Sequence, residues 1–236
     1  MLIVTPSALY GRLGALLSVL IVVCACIGLT LHRDVYAHTP RRDFYVYYTN
    51  VSNLIVLLYF ALLAPWLYAR AALRRFIPVA EFSVMMIILL THLVFHNLLF
   101  PEIRRAARGM PRSRETSIMA ADNAFIHYLV PLLTALYWLL CSPQKDALTL
   151  SGVLVWLTVP LLYLLCVFLR ARKGNLAGTD SPYPYPFLDV PQLGAGRVTG
   201  ICLTLLAACV LASVSLLLLV RLSFAQWGGG HALLLI

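Results

Sequence analysis

Charge is what this sequence has least of. Only 11% of its 236 residues are Asp, Glu, Lys or Arg, where soluble domains carry about 25%. That deficit excludes a large soluble core with a hydrated surface, because 61% of the chain is hydrophobic and the apolar residues come in blocks near the length that crosses a bilayer. The six cysteines, Cys24, Cys26, Cys141, Cys166, Cys202 and Cys209, lie inside or at the ends of these blocks. None has the spacing or flanking ligands of a zinc site, and they give no disulfide framework. The first block has no basic stretch before it, its first charge being Arg12, and is expected to be a retained span rather than a cleaved leader. Internal repeats, low-complexity tracts and a separate soluble domain are absent. The net charge of +9 would suggest nucleic acid in a soluble protein. Here the basic residues sit between apolar blocks and read as topology signals and headgroup contacts, so no nucleic-acid partner is expected.

What is there is an all-α pattern, a polytopic membrane bundle of six transmembrane helices forming a single integral membrane domain. The spans run over about 10–31, 46–69, 78–100, 120–141, 148–169 and 198–220, each near the ~20 residues that ~30 Å of hydrocarbon requires. Backbone crossing lipid must satisfy its hydrogen bonds internally, and these segments are too long for barrel strands. Connections at 70–77 and 142–147 make short antiparallel hairpins. The longer loops at 32–45, 101–119 and 170–197 carry most of the 18 basic residues, among them Arg33, Arg41, Arg42, Arg104, Arg105, Arg108 and Arg112. The positive-inside rule places these loops in the cytoplasm, although Arg70, Arg74 and Arg75 gather on the other side. A multi-pass protein of the cell membrane, with membrane lipids as its partners, is the expected class.

Three polar clusters interrupt the apolar blocks: Thr49, Asn50, Ser52 and Asn53; His92, His96 and Asn97; Asp122, Asn123 and His127. Polar groups are costly in hydrocarbon and usually face the bundle interior and mark a function. At ~1.5 Å per residue, Thr49 lies about 5 Å inside the second span, His96 about 6 Å from the end of the third and His127 about 10 Å inside the fourth. Alternating helix directions make all these depths count from one membrane surface. Thr49, Ser52 and Asn53, then His92 and His96, then Asn123 and His127, recur at i, i+3 or i+4 and so share a helix face.

Taken singly, each residue has a structural explanation. Thr49 can bond the carbonyl four residues back, Asn53 and Asn97 can join helices, and a lone His127 can be a core histidine. His92 and His96 have metal-ligand spacing, but the Glu of an H-E-x-x-H motif is missing; neither a metal nor a cofactor is expected. Together the residues suit acyl transfer. Thr49 would be the hydroxyl nucleophile and His127 its base. Asn50, Asn53 and Asn97 would be oxyanion donors or imidazole orienters, and Asp122 or Asn123 the group fixing the His127 tautomer. The segment Ser181-Pro182-Tyr183-Pro184-Tyr185-Pro186-Phe187-Leu188-Asp189-Val190-Pro191 cannot be helical throughout. It is either a lid over the polar layer or an aromatic-anchored interfacial loop.

Tyr48-Thr49-Asn50-Val51-Ser52-Asn53, His96-Asn97-Leu98-Leu99-Phe100-Pro101, Asp122 through His127 to Pro131, and Tyr183-Pro184-Tyr185-Pro186-Phe187-Leu188-Asp189 occur in this order along the chain. The ordered set resembles the bacterial six-span relatives of the androgen-induced protein and androgen-dependent TFPI-regulating protein family. Animal members of that family are transmembrane threonine hydrolases that cleave fatty acid esters of hydroxy fatty acids. The resemblance implies that Thr49 is the nucleophile, His127 the essential histidine and a lipid or fatty acyl ester the substrate. The polar setting of Asn50, Ser52, Asn53 and His92 is wetter than an acyl-chain tunnel. A non-catalytic transporter or lipid- or solute-binding protein with a His/Asn cavity is the competing expectation, although no inverted repeat supports it.

Overall fold

Among the described residues of the computed structural model, six helices are long and apolar enough to cross a membrane, and the protein is an integral membrane protein. The structure describes residues 6–35, 41–106, 114–176 and 179–231, and every regular element among them is helical. Arg108 and Arg112 of the basic loop lie outside the described residues. We label the spans α1 (Gly11–Arg33), α2 (Tyr48–Ala69), α3 (Ala71–Arg105), α4 (Met119–Cys141), α5 (Leu150–Ala171) and α6 (Ala195–Ser223).

The third span is longer than expected at both ends. The expected connection at 70–77 shrinks to Arg70, whose backbone is extended, and Ala71–Phe76 wind as a 3₁₀ helix straight into Ile77. Pro78 begins the α-helix at a position where its missing N–H costs nothing. This span is the hub: 56% of its most apolar stretch is buried, against 17% for α6. On one side Ile77, Val84 and Ile88 of α3 pack with Ile21 of α1, Val56 and Phe60 of α2 and Val130 of α4. On the other, Phe82, Met85 and Met86 pack with Trp138 of α4, Trp156 of α5 and Leu217 of α6.

Two details fix how the helices meet. A Cβ at Gly28 of α1 would stand 2.6 Å from Ile126 Cγ2 and 2.8 Å from Phe125 Cβ, so the α1–α4 approach needs glycine, as close contacts between membrane helices commonly do. At the far side, Trp156 Nε1 donates to Ser213 Oγ at 2.9 Å and ties α5 to α6.

Prolines shape the spans that carry the polar clusters. Each of Pro65, Pro101 and Pro131 follows a single π turn, over Tyr59–Leu63, Phe95–Leu99 and Phe125–Leu129 respectively. Proline has no N–H and its ring clashes with the carbonyl four residues back. The helix answers by widening one turn, with the residue before each proline bonding five residues back: Ala64 to Tyr59, Phe100 to Phe95 and Val130 to Phe125. Carbonyls released in this way must find other donors.

Candidate functional site

The π turn of α4 builds half of the site. With Val130 N–H committed to Phe125 and Pro131 lacking a donor, the carbonyls of Ile126 and His127 lose their usual partners. Asn53 Nδ2 of α2 donates to the Ile126 carbonyl at 3.1 Å. His92 Nδ1 of α3 donates to the His127 carbonyl at 2.7 Å, which fixes that nitrogen as the protonated one. Asn53 Nδ2 also reaches the Thr49 carbonyl at 2.8 Å. One amide nitrogen therefore bridges the turn that carries Thr49 and the turn that carries His127. The His127 ring itself lies flat on Phe95, with centroids 3.7 Å apart and planes 11° from parallel. Its Nδ1 is buried and has no hydrogen-bond partner.

Thr49 builds the other half. The hydroxyls of Thr30, Thr134 and Thr204 bond the carbonyl four residues back at 2.8–2.9 Å, the ordinary behaviour of threonine in a membrane helix. Thr49 does not. It is the second residue of α2, where backbone N–H groups have no intrahelical acceptor. Tyr185 fills that role: its Oη accepts from Thr49 N at 3.3 Å and lies 3.4 Å from Thr49 Oγ1. Burial pushes the Tyr185 phenol up from its ordinary value, the Thr49 hydrogen bonds opposing that rise, so the group is O–H at neutral pH.

Both Thr49 and Tyr185 line a cavity of about 220 Å³ between α2, α3, α5 and α6. Its wall is mainly apolar, with Leu90, Val94 and Phe95 of α3, Leu161 of α5 and Leu203 and Leu206 of α6 among its residues. It is smaller than the 300–1,000 Å³ typical of pockets that enclose a whole drug-sized ligand, and suits one segment of an acyl chain. Tyr185, Phe187 and Leu188 of the 181–191 segment line it from the loop. The shape of that segment is held locally, with Ser181 Oγ donating to Asp189 Oδ2 at 2.6 Å and Gln192 N to Asp189 Oδ1 at 3.0 Å.

The remaining expected residues divide. Asp122 is 2% exposed and binds His32 Nδ1 at 2.7 Å through Oδ2, while its Oδ1 accepts from Asn123 N at 2.6 Å. Asn123 Nδ2 donates to the Met119 carbonyl. Neither residue therefore hydrogen-bonds His127. Asn50 is buried, donates to the Phe44 carbonyl at 2.7 Å and leaves its Oδ1 unpaired. His96 and Asn97 are exposed; His96 bonds the Tyr128 hydroxyl and Asn97 the Leu93 carbonyl. The His92 and His96 rings stack rather than converge on a point, and among the described residues no three His, Cys, Asp or Glu side chains form a metal cluster.

Sequence reasoning missed His32 because the first span was ended at residue 31, whereas the helix runs Pro6–Val35. The absence of a helix breaker between Leu31 and Pro40 was the available signal. It also missed Thr91, whose hydroxyl meets Ser52 Oγ at 2.7 Å across α2 and α3, and saw Tyr185 only as part of a loop. Comparison with known proteins returns no matching family model, no matching curated protein and no matching solved structure.

Proposed function

We propose that this membrane protein is an intramembrane hydrolase of lipid or fatty acyl esters, with Thr49 as nucleophile and His127 as its base. The observation that carries the reading is the Thr49 hydroxyl, free of its helix, facing an apolar cavity and paired with a second hydroxyl. An acyl segment in the cavity would set its ester carbonyl at the polar end. Thr49 Oγ1 would attack that carbon as His127 takes its proton, and Tyr185 O–H would donate to the developing oxyanion. Collapse would return the proton to the leaving alcohol and leave an acyl-threonine. Water, deprotonated by His127, would then release the carboxylic acid and restore Thr49.

Thr49 and His127 share no hydrogen bond in the resting structure, and catalytic contacts often tighten only with substrate bound. Two features support closure: Asn53 holds the two turns together, and the unpartnered Nδ1 of His127 gives up no hydrogen bond when the ring turns off Phe95. The ordered motifs across the spans support kinship with the androgen-induced protein family. Purified protein should hydrolyse a fluorogenic long-chain ester. Thr49→Ala and His127→Ala should each lose that activity by about 10²-fold or more while expressing normally. Full activity in either variant sinks the assignment.

A non-catalytic acyl-binding role is the second reading, favoured by Thr49 bonding Tyr185 rather than an imidazole. It predicts saturable binding of a fatty acyl probe, equal in wild type and His127→Ala, with no turnover in either.

A further inference from the structure

The cavity beside Thr49 has two kinds of wall. Towards the loop it meets Tyr185 and Leu188, which are 8% and 1% exposed, and towards α3 it meets Thr91 and Phe95, both 3% exposed. Towards α5 and α6 it meets Leu161 and Leu203, which are 48% and 59% exposed. A side chain that lines an inner space and is also half exposed marks a wall one residue thick. The course of α5 explains why the wall is thin there. Its first piece, Leu150–Leu154, packs on α6, and Trp156 is tied to Ser213. Val155–Leu157 then winds as a 3₁₀ turn, and a second helical piece starts at Thr158. Such a turn inside a helix commonly marks a hinge. Beyond it the cavity lies between the two helices, with side chains of 157–164 on one side and of 202–209 on the other.

Leu161 stands ten residues before the end of α5 and Leu203 eight after the start of α6. At ~1.5 Å per residue they lie about 15 Å and 12 Å below the face of the 170–197 loop, and Thr49 about 5 Å below the same face. The thin wall therefore borders hydrocarbon and not water. We propose that acyl chains enter the cavity sideways from the bilayer, between α5 and α6 past Leu161 and Leu203, and that the ester cleaved is a phospholipid still resident in the membrane. The entry route stands on the cavity alone; the substrate rests on the hydrolase reading. A space of about 220 Å³ takes part of one chain and leaves the rest of the lipid in the bilayer. The ester then lies at the shallow level of Thr49, where bilayer esters meet the headgroups. Arg172 and Lys173 beyond α5, and Arg197 in the first turn of α6, are exposed at that surface and attract a phosphate headgroup. The deep wall includes Phe95, the ring on which His127 rests. Water adds across the acyl C–O bond, and the fatty acid and lysophospholipid return to the bilayer.

The test uses full-length protein in phosphatidylcholine vesicles doped with a phosphatidylglycerol that carries a diazirine midway along one acyl chain. Illumination followed by peptide mass spectrometry should find adducts on the buried Thr91 or Phe95, besides those on outward residues such as Leu165 and Leu211. Leu161→Trp and Leu203→Trp together should cut the inward adducts and fatty acid release roughly tenfold, the scale at which added bulk acts in a packed space. Leu161→Ala and Leu203→Ala should raise the inward adducts. Adducts confined to outward residues overturn the entry route, as does their absence from α5 and α6 altogether, which a second copy covering this face would give. Inward adducts that neither pair of substitutions alters overturn it too. If the tryptophan pair fails to fold, the wild-type adduct pattern and the alanine pair decide. Inward adducts without fatty acid release in the wild type support the route and count against the hydrolase, whereas release without inward adducts sinks the route alone.

Discussion

Thr49 and His127 sit on turns bridged by one asparagine, yet their surroundings differ sharply. The Thr49 side opens onto an apolar cavity, is lined by a loop and holds its hydroxyl through one long bond to Tyr185. The His127 side is sealed: its ring is pressed on Phe95, its carbonyl is taken by His92, and the neighbouring Asp122 is locked to His32. The first region borders an apolar space, and the second is closely packed at rest. In the proposed reaction the nucleophile lies beside the space a hydrophobic substrate would occupy, and the base leaves its packed resting place on Phe95 to meet it.

Substitutions on each side should therefore separate stability from activity. The largest stability loss is expected from Asp122→Ala, which removes the buried acceptor of both His32 Nδ1 and Asn123 N; each lost buried partner costs about 1–3 kcal/mol, readable as a lower unfolding midpoint in detergent. Asn53→Ala comes next. It removes the donor from the Thr49 and Ile126 carbonyls, and an orphaned buried acceptor costs about 1–3 kcal/mol; ester hydrolysis should fall along with the midpoint because the bridge between the two turns is gone. Tyr185→Phe should cost stability least, about 1 kcal/mol for its two long bonds to Thr49, while lowering kcat roughly 10²- to 10³-fold as loss of an oxyanion donor does. If Tyr185→Phe lowered the midpoint more than Asp122→Ala, the contrast between an open and a sealed side would fail.

The sequence carried depth well and direction around each helix poorly. Rise per residue and alternating helix direction place Thr49, Asn53 and His127 in one layer, and they do meet through Asn53. Facing is another matter. His96 and Asn97 follow His92 at i+4 and i+5, but the π turn over Phe95–Leu99 adds a residue to that turn, and both are exposed. Pro65, Pro101 and Pro131 were visible as letters; their effect, releasing carbonyls that Asn53 and His92 then take, depends on which helices are neighbours. The Asp122–His32 pair joins residues 90 apart, and no local pattern announces it. Tyr185 was legible as part of a proline-rich loop, but its hydroxyl's place on Thr49 depends on how the loop folds back.

The most direct test of the central claim is covalent. The purified protein would be treated with a long-chain fluorophosphonate and the modified residue located by peptide mass spectrometry. A single adduct on Thr49 is expected, prevented by a competing fatty acyl ester and missing in His127→Ala. An adduct on another residue, or no adduct on a folded protein that still binds the acyl competitor, would contradict it.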